Sequence, residues 1–122
     1  RFRCPELLFK PNLNGFECNG IDRKIFDAIM KCDNNLHNEL FQRIVLSGGN
    51  TLFEGLPERI EKEITKLAPQ GTKVQVIAIK ERKYGAWIGG STFASLDSFK
   101  QMVITRDEYN QTGAGIVNSK CT

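Results

Sequence analysis

Between Ile44 and Ile79 the chain carries, in order, a short strand-like run, a pair of glycines, a helix pattern fenced by two prolines, and a second strand-like run. Ile44-Val45-Leu46 stops at Ser47-Gly48-Gly49, as a buried strand does where it enters a tight turn. Leu56, Ile60, Ile64 and Leu67 then recur at the spacing of one helix face. Pro57 falls in the first turn, where a missing N–H costs nothing, and Pro69 closes the helix. Glu58 and Lys62 stand four apart in the favourable order for an ion pair. From Lys73 to Ile79 both faces are apolar, with Val74, Val76 and Ala78 on one and Ile77 and Ile79 on the other. That pattern predicts a central strand covered on both sides by helices. Strands alternating with helices place the chain in the α/β class.

The flanking segments are read in the same way. The first sixteen residues, with Pro5, Pro11, Asn12, Asn14 and Gly15, carry turn chemistry and read as loop or connection. Ile21, Ile25, Phe26, Ile29 and Met30 form an apolar stripe on a helix, and Asn34 or Asn35 is placed to cap a second, short one bearing Leu36, Leu40 and Phe41. Tyr84 to Leu96 is a glycine-rich apolar helix whose Gly85, Gly89 and Gly90 imply close packing against another backbone. After a short apolar element, Phe99 to Ile104, the sequence Thr105-Arg106-Asp107-Glu108 has capping-box spacing, Gly113 suits the helix end, and Gly115 to Thr122 reads as a tail.

Composition removes most function classes. A chain of 122 residues with 40% hydrophobic and 25% charged content packs one ordinary domain, not two lobes. Its net charge of +3, with acids interleaved among the bases, lacks the clustered basicity of a nucleic-acid binder. The longest apolar run, Val74 to Ile79, is far short of the roughly 20 residues of a membrane span. Cys4, Cys18, Cys32 and Cys121 are scattered without a C-x-x-C pair, which favours free thiols in a reducing compartment over zinc or a disulfide framework. His37, the single histidine, lies in a polar stretch and reads as a surface residue. The opening Arg1-Phe2-Arg3-Cys4-Pro5 reads as mid-chain material.

The inventory also lacks G-x-S-x-G, H-E-x-x-H, the P-loop and G-x-G-x-x-G, so no catalytic residue and no metal ligand is assigned. One element retains a chemical reading. In Ile44 to Thr51 a strand runs into Gly48-Gly49, which allows a bulky ligand close to the backbone and leaves N–H groups free to face an anion. A plain turn explains the same residues. Lys83, in the charged loop Lys80-Glu81-Arg82-Lys83, is either solvated or within reach of a ribose or phosphate, and spacing leaves both alternatives open.

Ordered blocks along the chain carry a resemblance. Arg1-Phe2-Arg3-Cys4-Pro5-Glu6, Ile29-Met30-Lys31-Cys32-Asp33, Val45-Leu46-Ser47-Gly48-Gly49-Asn50-Thr51 and Glu61 to Pro69 closely resemble the C-terminal third of actin. So do Glu81 to Ser91, Phe93-Ala94-Ser95-Leu96, Asp107-Glu108-Tyr109 and Lys120-Cys121. The likeness implies part of the actin-like ATPase fold, helices packed on a mixed sheet, with the first two-thirds of the family's length lying upstream of Arg1. It implies three segments: residues 1–16 ending an upper subdomain and holding a plug loop, residues 17–84 in the lower subdomain of the nucleotide lobe, and residues 85–122 in the outer lower subdomain.

The resemblance also implies a function: an ATP-binding, ATP-hydrolysing filament subunit of the cytoskeleton and cytoplasm. Gly48, Gly49, Leu52, Phe53 and Lys83 would form the adenosine side of an ATP/ADP site, and the elements that hold Mg and catalyse hydrolysis would lie outside this stretch. The family favours Thr at Asn50, Met at Leu52 and Tyr at Phe53. Ile88, Thr92, Phe93, Leu96, Ser98 and Met102 would line a groove for amphipathic partner helices and the neighbouring subunit, with Thr92 replacing a usual aliphatic. Leu13, Asn14, Gly15 and Phe16 would form the plug between filament strands, Asn14 being polar where the plug is apolar. Val103 stands where the family has Trp, and Thr122 where it ends in Phe. The expected partners are further copies of itself and actin-binding proteins, with neither nucleic acid nor membrane. The alternatives are a non-polymerising actin-related scaffold, or a kinase or chaperone of the same ATPase fold.

Overall fold

The computed structural model describes residues 3–121. They divide into two compact units, one ending at Gly85 and the other beginning at Ala86.

The first unit is organised by the strand–helix–strand block. Strand β1 (Ile44–Val45) and strand β2 (Val76–Ile77) pair in parallel, Ile44 opposite Val76 and Val45 opposite Ile77. Parallel neighbours need a long crossover, which the intervening helix over Leu56–Leu67 provides. Further backbone bonds extend the ladder beyond the paired residues: Leu46 N–H donates to Ile77 O at 2.9 Å, and Gln75 N–H to Phe41 O at 2.9 Å. Where a mixed sheet is expected, the pairing among the described residues is parallel and two-stranded.

In chain order the helices of this unit are α1 (Arg3–Glu6), α2 (Ile21–Met30), α3 (His37–Phe41) and α4 (Leu56–Leu67). The apolar stripes of α2 and α4 meet the sheet in one core. Ile29 comes from α2, Phe41 from α3, Leu56, Ile60 and Ile64 from α4, and Ile44, Leu46 and Val74 from the strand segments. Phe41, Ile60 and Ile64 are wholly buried. Each such side chain removed from water contributes about 1.5–3 kcal/mol, so these three anchor the unit.

Four expectations for this unit need correction. The first sixteen residues are not plain loop: α1 and a 3₁₀ turn over Pro11–Asn14 fall there, and Phe9 packs against the core. Neither Asn34 nor Asn35 caps α3, because both lie inside a 3₁₀ turn (Asn34–Leu36) that leads into it without a side-chain cap. The two sheet faces are not both fully covered: Ile44, Leu46 and Val74 are buried and Val76 and Ile77 half-buried, whereas Val45 is 65% exposed and Ile79 is exposed. On α4 the pairs formed are Arg59–Glu63 and Lys66–Glu63, and among the described residues Glu58–Lys62 is not one.

One contact was invisible to periodicity. Gly20 is buried just before α2, where a Cβ would lie 2.2 Å from the Phe9 carbonyl oxygen. Only glycine allows that approach, and the adjacent Ile21 N–H donates to Leu8 O at 2.8 Å, tying the α1 segment to α2.

The second unit holds α5 (Gly85–Ala94), whose first residue closes the first unit, then α6 (Phe99–Met102), α7 (Arg106–Thr112) and α8 (Val117–Lys120). Helix α7 starts with the expected capping box: Thr105 N–H donates to Glu108 Oε2 at 2.8 Å, and Thr105 Oγ1 accepts from Glu108 N–H. Gly113, at φ +75°, ends it. The segment from Gly115 is no free tail over its described part. Ile116 is buried, and Lys120 Nζ reaches Glu108 Oε1 at 2.6 Å and Val103 O at 2.8 Å. Thr122 lies outside the described residues, as do Arg1 and Phe2.

Candidate functional site

Both parallel strands discharge into turns, and those turns meet. Beyond β1, Gly48 adopts φ +92°, ψ 158°, a region that essentially only glycine occupies. A 3₁₀ turn over Gly49–Leu52 follows, closed by Thr51, whose N–H and Oγ1–H both donate to Gly48 O, at 3.1 and 2.7 Å. Gly55, at φ +74°, then leads into α4. Beyond β2 the chain makes a second 3₁₀ turn, Arg82–Tyr84.

Arg82 joins the two turns. Its carbonyl accepts from Gly48 N–H at 2.9 Å. Its guanidinium donates to Thr51 from two nitrogens, Nε to Oγ1 at 3.1 Å and Nη2 to the carbonyl at 3.1 Å, while Nη1 donates to Ile79 O at 2.9 Å. The neighbouring Lys83 is thereby held beside Gly49, its Cγ 3.8 Å from where a Gly49 Cβ would stand. Its ammonium lies 5.1 Å from the Tyr84 ring centroid, a cation–π distance. In open α/β sheets, ligands bind in the crevice outside the carboxyl ends of the strands, and Gly48, Gly49 and Lys83 occupy that position.

Leu52 and Phe53 continue the first turn and are 44% and 45% exposed. Phe53 also lines a cavity of about 180 Å³ with Glu6, Phe9, Gly55 and Arg59. Of the charged residues that line it, Glu6 and Arg59 are paired with one another, and Glu54 is exposed. Arg59 donates to both Glu6 oxygens, at 3.1 and 3.2 Å, and to Glu63 at 2.8 Å, and its guanidinium stands 4.6 Å over the Phe9 ring. The Arg59 guanidinium holds the Glu6 carboxyl below its ordinary range, and Lys66, with Arg59, does the same to Glu63. Glu6 in turn raises Arg59. Glu6, Arg59 and Glu63 thus stay charged and paired, which suits a structural wall rather than a general base.

The structure therefore brings Gly48, Gly49 and Lys83 together, with Leu52 and Phe53 further along the same turn. Sequence reading missed Arg82 and Thr51. Neither has a periodic signal; the one available hint was an arginine directly before the lysine after the second strand.

The remaining candidates lie elsewhere. Ile88 and Thr92 share a face of α5; Leu96 lies past its end, and Ser98 precedes α6 without capping it. Ile88, Phe93, Leu96 and Met102 are exposed, and Trp87 is 75% exposed. The Thr92 hydroxyl donates to Ile88 O at 3.0 Å, so its polar group is satisfied within the helix. Gly89 and Gly90 meet no atom within 4 Å of a built Cβ, so among the described residues no backbone packs closely there. The edge of Phe93 meets Phe99, centroids 5.3 Å apart. Leu13 and Asn14 sit on the Pro11–Asn14 turn, Gly15 follows at φ +77°, and Leu13 and Phe16 are exposed. All four cysteines are free and exposed. Among the described residues, no cluster of His, Cys, Asp or Glu is arranged to hold a metal, and no helix is long and apolar enough to cross a membrane.

Compared with known families, the chain matches one sequence model over residues 1–122, its whole length; that model is described as Actin.

Proposed function

The chain belongs to the actin family, and from that membership we propose that it is the C-terminal portion of an ATP-binding, ATP-hydrolysing cytoskeletal protein that polymerises into filaments in the cytoplasm. In this reading the stretch supplies the adenosine-side wall of the nucleotide site and part of the surfaces used by the filament and its partners.

The observation that carries the reading is the pair of turns at the carboxyl ends of β1 and β2. Gly48 and Gly49 present bare backbone, no atom lies within 4 Å of a Cβ built at Gly48, and Lys83 stands alongside. That arrangement fits a nucleoside: the glycines admit a bulky ring close to the chain, Leu52 and Phe53 offer apolar contact to a base, and Lys83 offers a cation. ATP with Mg would supply the scissile phosphoanhydride. The residues that hold its phosphates and the metal belong to the part of the family fold outside this stretch, so the role of these residues is to bind and orient. Exposed Ile88, Phe93, Leu96 and Met102 suit an amphipathic partner helix, and exposed Leu13 and Phe16 suit a neighbouring subunit.

The test is sedimentation of the intact parent chain after addition of Mg-ATP and salt. Polymer in the pellet is expected; a parent that stays in the supernatant under all such conditions refutes the filament reading. A second reading, a nucleotide-binding actin-related scaffold that does not polymerise, is favoured by Asn14, whose polar side chain is exposed within the plug. Capture of an apolar partner helix without polymer would select it.

A further inference from the structure

Arg82 closes a ring of hydrogen bonds that no other residue of the site closes. Its carbonyl holds Gly48 N–H, its guanidinium holds the carbonyl and hydroxyl of Thr51, and the same Thr51 hydroxyl donates back to Gly48 O. The third nitrogen reaches Ile79 O, in the segment that leaves β2. One residue thus ties both ends of the Gly48–Thr51 turn to the chain that carries Lys83. We propose that Arg82 is a positioning residue for nucleotide binding: it touches no ligand, and it holds the Gly48–Gly49 turn and Lys83 side by side as one surface against which the nucleoside lies. This rests on the nucleotide reading above.

The geometry explains why an arginine stands there. Three donors in one rigid plane meet Thr51 and Ile79 at once. A lysine carries its three donors on a single nitrogen and lacks the planar fork that spans the Thr51 and Ile79 acceptors. The Thr51 end of the ring is partly buried, so removing the guanidinium leaves the Thr51 carbonyl short of a donor and frees the turn to sample other conformations, while the exposed Ile79 carbonyl keeps the Arg82 backbone N–H at 3.3 Å. Gly48 makes that freedom large, because a glycine released from its clamp has more backbone states than any other residue.

The experiment uses the intact parent chain with Arg82→Lys and Arg82→Ala beside wild type. It measures amide hydrogen exchange at Gly48 and Thr51 together with the affinity and dissociation rate of a fluorescent etheno-ATP. Both variants are expected to exchange at least tenfold faster at these amides and to lose nucleotide affinity about tenfold, mainly through faster dissociation. Millimolar guanidinium should restore affinity to Arg82→Ala and not to wild type, which a general loss of stability would not produce. Unchanged exchange at Gly48 and Thr51 overturns the clamp. Faster exchange with unchanged nucleotide dissociation overturns the positioning role and leaves a purely structural one. Wild type without saturable etheno-ATP binding refutes the nucleotide reading itself, and the positioning role with it, whatever the exchange shows. Should Arg82→Ala fail to fold, Arg82→Lys against Thr51→Val in a double-mutant cycle decides the matter: coupled losses support the ring, and additive losses overturn it.

Discussion

Gly48 and Gly49 are neighbours with opposite reasons for being glycine, and substituting alanine at each separates fold from function. At Gly48 a Cβ would meet nothing within 4 Å, so no neighbour has to move. The cost is in the backbone: φ +92°, ψ 158° lies where a non-glycine residue costs on the order of 1–3 kcal/mol. The stiffer unfolded chain of an alanine variant offsets about 0.4–1 kcal/mol of that, leaving a net loss of roughly 1–2 kcal/mol. Gly49 is not among the left-handed glycines, and its Cβ would stand 3.8 Å from Lys83 Cγ, an ordinary contact. Gly49→Ala should therefore be neutral or stabilise by up to about 0.5 kcal/mol, through the unfolded state alone. The same methyl would stand on the backbone surface against which the nucleoside is proposed to lie, so etheno-ATP affinity should fall about tenfold, equivalent to ~1.4 kcal/mol. Urea unfolding and nucleotide titration of the two variants in the intact chain give both readouts. Equal destabilisation by the two substitutions, or full nucleotide affinity in Gly49→Ala, would refute the reasoning.

Three further outcomes follow from contacts elsewhere in the chain. Gly20→Ala places a Cβ 2.2 Å from a backbone oxygen that cannot rotate away, at φ −64° where alanine is otherwise unstrained. Overpacking of this kind costs about 1–3 kcal/mol, and a urea midpoint equal to wild type would show that the Phe9 carbonyl is free to yield. Glu108 is held near pH 2, well below the usual carboxylate range, by Lys120 first and by the Thr105 donors. A carboxyl whose folded value is depressed stabilises fully above its ordinary titration range, near 4.5, and loses that contribution as pH falls toward 2. The packing of the Val117–Lys120 helix on α7 should therefore loosen in acid, read by amide exchange. In Lys120→Met the Glu108 titration, followed by NMR, should move up; an unmoved midpoint would mean that Thr105 alone sets it.

Local signals carried a good part of this. Helix α2 was legible from the Ile21, Ile25, Ile29 stripe, and α4 from Leu56, Ile60, Ile64 and its two prolines. The capping box at Thr105 and the stop at Gly113 were legible because capping is a matter of four adjacent residues. The ordered blocks from Arg1 to Cys121 pointed to the family that the whole-chain match shows. Strand burial was not legible: Val45 and Ile79 are as apolar as Ile44 and Leu46, and hydrophobicity does not say which face of a sheet a helix will cover. The described part of the Gly115 to Thr122 segment looked like a tail because Lys120 finds Glu108 across twelve residues of chain.

The sequence by itself determined α2, α4, the capping box of α7, the α/β order and the family, because each is written in residue types at fixed, short separations. Only the tertiary structure decided that Gly20 must lie against the Phe9 carbonyl and that Arg82, thirty-one residues from Thr51, locks the glycine turn beside Lys83. A hydrogen bond between distant segments depends on where the parallel strands deliver their ends, and that register is a property of the packed core rather than of either segment's composition.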